Sequence, residues 1–168
     1  MNSHNEPLTF EAMIATHKGI LYKIARSYSY CDEERRDLIQ EITLQLWRSF
    51  TQYDPKFKLS TWVYRVALNT AISFLRRDSL RKAHIELTDM SLLTEQVDST
   101  NTELMLEIQR LLKLLDKYDR ALFIMHLDGL DYAQIADVLD ISASSVSTKI
   151  SRIKQRLNTL FIGDDNNG

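Results

Sequence analysis

The sequence predicts an all-α protein: two small helical domains joined by a flexible acidic linker, the C-terminal one a helix-turn-helix. Three observations carry this. Apolar residues recur at helical spacing through most of the 168 residues, and no alternation of the kind a strand needs persists. Four glycines and two prolines leave little turn chemistry for a sheet. A polar, acidic stretch at 78–103, ending DSTNTE, interrupts the helical pattern and reads as a linker with transient helix at 91–96.

The first helix is expected over 10–28, with Phe10, Met13, Ile14, His17, Ile20, Leu21 and Ile24 on its apolar side. A loop at 28–31 leads to a second over 32–50, whose inward stripe is Leu38, Ile42 and Leu46 with Ile39 and Trp47 beside it. Residues 53–60, YDPKFKLS, form a loop, because Pro55 disfavours helix at Asp54, and Ser60 is placed to cap the next helix. This third helix, over 61–77, turns Val63, Val66, Ala67, Thr70 and Phe74 inward. Trp62, Arg65, Asn69, Ser73 and Arg76 fall on its other side. The domains are therefore 8–80 and 104–162, with the linker at 81–103. Leu104, Ile108, Leu111, Leu112 and Leu115 open the C-terminal domain, and a fifth helix comes next at 120–127.

The stretch 127–157, LDGLDYAQIADVLDISASSVSTKISRIKQRL, reads as two short helices around a tight turn. Gly129 supplies a left-handed residue that ends the preceding helix. Asp131 and Gln134 have the spacing of a capping box, and Ser142 is placed to cap the second helix. Ile135, Ala136 and Leu139 face inward from the first helix, and Val146, Ile150, Ile153 and Leu157 form one buried stripe on the second. The opposite side carries Ser144, Ser145, Thr148, Ser151, Arg152 and Gln155, flanked by Lys149, Lys154 and Arg156. Such a helix suits a major groove: hydroxyls bond base edges or phosphates, Arg pairs with guanine, and the cations meet the backbone. The same pattern fits a solvated face on a small helical bundle.

Composition narrows the function. Net charge is −2 and the isoelectric point about 6.1, so DNA affinity must come from local patches and the free protein should bind DNA weakly. Cys31 is the only cysteine, which excludes an internal disulfide and a thiolate zinc site. His4, His17, His84 and His126 lack metal-ligand spacing, so no metal and no cofactor are expected. With no long apolar run and no signal peptide, a cytoplasmic protein without membrane insertion is expected.

Three blocks taken together resemble a known family: DLIQEITLQLW (37–47), LSTWVYRVALNTAISFLRR (59–77) and the helix-turn-helix stretch. In this order, with this linker, they are similar to bacterial RNA polymerase sigma factors of the small extracytoplasmic-function (ECF) group. That group has only the second and fourth sigma domains. The resemblance implies a promoter-specificity subunit that binds core RNA polymerase and recognises and melts promoter DNA, and it implies no enzymatic activity.

By the same resemblance Asp37, Gln40, Glu41 and Leu44 contact the clamp helices of the polymerase's largest subunit; Asp37 and Glu41, four apart, share one helix face. The minus-ten element, as duplex and melted strand, falls to Tyr53, Lys56, Phe57, Lys58, Leu59, Trp62, Arg65, Asn69, Arg76 and Arg77. A flipped base gains about 1–3 kcal/mol on an aromatic ring, an amide can read its edge, and the cations follow phosphates. The minus-thirty-five element falls to Ser144, Ser145, Thr148, Lys149, Ser151, Arg152 and Gln155. The acidic linker would thread the polymerase cleft, and an anti-sigma factor is the expected antagonist.

Three departures from the family pattern stand out: Leu115-Asp116 replaces the usual Leu-Pro, Asp140 occupies a turn position usually held by Gly, and SASSVSTK is less basic than many recognition helices. Two other readings compete. A helix-turn-helix repressor or activator would bind duplex DNA unaided as a dimer, but no dimerisation element is visible. An enzyme would need a nucleophile–base pair, a phosphate loop or a metal cluster, none of which these residues assemble.

Overall fold

The computed structural model describes residues 7–82 and 102–164. These form seven helices: α1 (Phe10–Ser27), α2 (Asp32–Ser49), α3 (Leu59–Lys82), α4 (Thr102–Leu114), α5 (Lys117–Leu127), α6 (Tyr132–Leu139) and α7 (Ala143–Asp164), with a 3-10 turn at Phe50–Gln52. No strand occurs among the described residues. The chain divides into two compact units between Ala71 and Ile72, within α3. The expected linker centre, with its transient helix at 91–96, lies outside the described residues.

In the first unit, Thr9 caps α1 by accepting from the Ala12 amide at 3.2 Å. Cys31 at the start of α2 supplies no side-chain cap; Asp32, Glu33 and Glu34 in the first turn meet the positive helix end instead. Met13, Leu21 and Ile24 of α1 and Leu38, Ile42 and Leu46 of α2 are buried where those helices pack together. Val63, Tyr64, Ala67, Leu68 and Ala71 of α3 join the buried set. Trp47, expected beside the α2 stripe, is instead 58% exposed. It sits about 100° around the helix from Leu46 and rests only edge-on against Phe10, with centroids 4.9 Å apart.

Two boundaries differ from expectation. Ser60 does not cap α3, which begins at Leu59 with Trp62 N–H donating to the Lys58 carbonyl at 3.2 Å. The loop reverses earlier because Asp54 closes it: its carboxylate accepts from the Lys56 amide at 3.0 Å and its carbonyl from the Phe57 amide at 3.0 Å. At its other end α3 runs to Lys82 rather than 77, since RRDSLRK contains no glycine or proline to stop it.

The second unit combines three short helices, α4 to α6, with the 22-residue α7, and polar groups hold several of the helix ends. Asp116 caps α5, one carboxylate oxygen accepting from the Tyr118 and Asp119 amides at 2.9 Å each, so α5 starts at Lys117 rather than 120. At its C-terminus Gly129 adopts φ 82°, and Leu130 N–H reaches the Met125 carbonyl at 3.1 Å, a Schellman closure. An added Cβ at Gly129 would meet nothing within 4 Å, so the backbone angle alone favours glycine there.

The Asp131–Gln134 capping box forms in both directions, at 2.7 and 3.0 Å. Asp140 takes the left-handed conformation at φ 54°, as the turn requires, and Ser142 accepts from the Ser145 amide at 3.1 Å. Val146, Ile150, Ile153 and Leu157 are all buried. On α4 the inward stripe is shorter than expected: Leu112 and Leu115 are buried, but Leu104 is 62% exposed. The helix packs on α5.

Arg120 is the unexpected core member, 4% exposed. Its Nε donates to the Leu112 carbonyl at 2.9 Å and its Nη2 to those of Leu115 and Lys113 at 3.1 and 3.4 Å. A helix leaves its last carbonyls unpaired. One buried guanidinium satisfies these for α4, and its charge suits the negative helix end.

Candidate nucleic-acid and polymerase interfaces

Three surfaces collect the expected site residues. On α2, Asp37, Gln40 and Leu44 are exposed opposite the buried stripe, with Leu44 41% open. Glu41 is half-buried and its Oε1 accepts from Gln45 Nε2 at 3.2 Å. Trp47, one turn further on, extends this side with a large apolar group. Sequence reasoning missed it because a tryptophan next to an apolar stripe reads as core.

The loop after the 3-10 turn is a built structure. Tyr53 Oη donates to the Phe57 carbonyl at 2.7 Å, and its ring lies 5.3 Å from that of Trp62 at the start of α3. Tyr53 is thus spent on holding the loop against the helix, and Phe57 is thrown outward, 58% exposed. Trp62 and Arg65 are half-buried, while Asn69, Arg76 and Arg77 are exposed further along α3. Lys56 and Lys58 are exposed in the loop, and Leu59 is half-buried. The arrangement offers aromatic surface for an unstacked base, an amide beyond it and cations around both.

On α7 the expected outward face is outward, but its members differ in how committed they are. Ser142, Ser144 and Ser145 bond one another through their hydroxyls, at 3.1 and 2.8 Å from Ser142 Oγ. Thr148 Oγ1 donates back to the Ser144 carbonyl at 3.0 Å. Ser151, Arg152 and Gln155 are exposed and make no side-chain bond among the described residues. The flanking cations face protein: Lys149 Nζ is 3.7 Å from Asp119 Oδ1, and Arg156 Nη2 donates to the Leu114 carbonyl at 3.4 Å.

Burial, then the neighbouring Asp116, pushes the Asp119 carboxyl above its ordinary range despite Lys149 and Arg156. His126, between Phe123 and Tyr132, is held below the ordinary histidine value by burial and by Lys154. Among the described residues no three His, Cys, Asp or Glu side chains gather as a metal site, and no helix is long and apolar enough to cross a membrane.

A helical unit carrying an aromatic loop, followed by a helix-turn-helix unit, is an arrangement suited to contacting nucleic acid. Similarity to known proteins specifies the family. Residues 13–81 match the family model for sigma-70 region 2 and residues 105–157 that for sigma-70 region 4. The ECF RNA polymerase sigma factor SigW of Bacillus subtilis is 26% identical, the match covering 88% of this chain and 86% of SigW. The ferric citrate uptake sigma factor FecI of Escherichia coli is 29% identical, with 86% of each chain covered. Among solved structures, the sigma factor RpoE of Bartonella quintana, in complex with the anti-sigma factor NepR, has the same fold: TM-score 0.70 at 18% identity, over 90% of this chain and 96% of that one. The chain belongs to the sigma-70 family, in its ECF group, and is a promoter-specificity subunit of RNA polymerase.

Proposed function

We propose that the three surfaces divide the work of promoter recognition and opening. The α2 face of Asp37, Gln40, Glu41 and Leu44 docks on core RNA polymerase, its carboxylates meeting a basic surface and Leu44 an apolar one. The loop and α3 take the minus-ten element: Phe57 and Trp62 stack an unpaired base, Asn69 reads an edge, and Lys56, Lys58, Arg65, Arg76 and Arg77 follow the backbone. The outward side of α7 enters the major groove of the minus-thirty-five element, with Arg152 and Gln155 as its longest uncommitted readers. Core polymerase supplies the phosphodiester chemistry, so this chain adds specificity and no catalysis of its own. Its site of action is the cytoplasm, and an anti-sigma factor is its expected antagonist.

The observation that carries this reading is the pinned loop, which holds Phe57 in solvent while Tyr53 rests against Trp62. Nothing in folding rewards an aromatic ring kept 58% exposed on a loop tied down by Tyr53. The test is Asp37→Lys with Glu41→Lys, assayed by co-elution with core polymerase and by run-off transcription. Weakened association with helicity retained is expected; unchanged association would discard the α2 contact.

A further inference from the structure

We propose that Asp119 governs how many phosphates the recognition helix α7 engages, by holding the Lys149 ammonium as an internal counter-ion. This rests on the proposed contact of α7 with duplex DNA. Lys149 lies on the flank of the outward face, where a four-carbon stem reaches a phosphate readily. Instead its Nζ is 3.7 Å from Asp119 Oδ1 in the first turn of α5, with the two side chains 45% and 25% exposed. Asp116, by contrast, is fixed as the helix cap, its Oδ1 accepting from the Tyr118 and Asp119 amides.

The pair has little value for folding. Exposed ion pairs contribute weakly, and burial together with Asp116 raises the Asp119 carboxyl despite Lys149 and Arg156. A carboxylate kept charged at neutral pH in such a place, facing a cation on the DNA-reading helix, competes with phosphate for that cation. Lys149 can reach DNA only by leaving Asp119. A weakly basic recognition helix is thereby made weaker still, and the promoter contact leans on Arg152 and on polymerase.

The test uses holoenzyme assembled from core polymerase and the full chain, with a promoter duplex that this holoenzyme selects from a random library. Affinity is measured from about 50 to 200 mM salt, where each phosphate contact adds about 0.9 to the slope of log K on log salt. Asp119→Asn is expected to steepen the slope by about one contact, so that affinity falls roughly three- to four-fold further across that range. Asp119→Glu should restore the original slope. In a Lys149→Gln background Asp119→Asn should change nothing, and the melting temperature at pH 7 should not fall.

An unchanged slope in Asp119→Asn overturns the proposal. So does a steepened slope that persists without Lys149, which would mean that the carboxylate repels DNA directly. A lowered melting temperature with weaker binding would mean a structural role and overturns it too. Failure to form holoenzyme at all would instead strike the functional reading on which it rests.

Discussion

On the proposed reading each unit presents one surface to DNA, and the two differ in how that surface is supported. The first buries long apolar stripes: Leu38, Ile42 and Leu46 on α2 are fully inaccessible, and so are Val63, Ala67 and Ala71 on α3. On that rigid base it can leave Trp47 and Phe57 in solvent. The second buries its own stripe, Val146, Ile150, Ile153 and Leu157 on α7, and invests besides in helix ends: Asp116, Asp131 with Gln134, Asp140, Ser142 and the buried Arg120 each pair with backbone groups. The outward side of α7, proposed to meet duplex DNA, is polar, with hydroxyls bonded to one another. Apolar surface suits unpaired bases, which stack; polar surface suits duplex edges, which exchange hydrogen bonds. Each unit carries the face its own construction can support.

The sharpest way to break this contrast is to attack each unit at its own support. Leu38→Ala should cost about 3 kcal/mol through a cavity in the first unit. Arg120→Met, which keeps bulk but removes the donors, should cost about 3 kcal/mol by stranding the α4 carbonyls. Hydrogen exchange on the full chain should localise the first loss to α1–α3 and the second to α4–α7. If Arg120→Met left the exchange of α4 and α5 unchanged, the second unit would be an apolar core like the first.

Next in size is the aromatic surface. Phe57→Ala should lower holoenzyme affinity for single-stranded minus-ten DNA by about 1–2 kcal/mol. The unfolding midpoint should not move, since the ring is already exposed. Asp131→Ala should destabilise α6 and the helix-turn-helix by about 1 kcal/mol, read as a shift in the denaturation midpoint.

Smallest is the pH response of the second unit, where two groups act in opposite directions. The folded state holds His126 below 6.5, so its contribution is complete above that pH and is lost as pH falls through the folded value. The folded state holds Asp119 above 3.8, so its contribution is complete below that pH and is lost as pH rises through its folded value. His126→Phe should therefore flatten the stability loss just below pH 6.5, measured by urea denaturation at several pH values.

Much of this was legible in the sequence where one local rule decides the outcome. The capping box at Asp131, the left-handed Asp140 and Gly129, the Ser142 cap and the α2 and α7 stripes depend on neighbours within one or two turns, and periodicity or cap chemistry gives them directly. What was not legible depends on groups far apart in sequence or on competition between rules. Arg120 reads as a surface residue until α4 brings its carbonyls within 3 Å. Lys149 reads as a phosphate contact until α5 presents Asp119 to it. Tyr53 stands among the expected minus-ten contacts, and its spacing gives no sign that its hydroxyl also closes the loop on the Phe57 carbonyl. Trp47 and Leu104 carry the residue types of a core, yet both are exposed in the folded chain.

The central claim is that two weak DNA surfaces act together only when polymerase joins them. It is tested most directly by measuring, on one selected promoter duplex and at one salt concentration near 0.15 M, the affinity of the free protein and of its holoenzyme. The free protein is expected to bind this duplex no better than unrelated duplex, and the holoenzyme to bind it specifically and open the minus-ten region. Specific, tight binding by the free protein, unaltered by core polymerase, would contradict it.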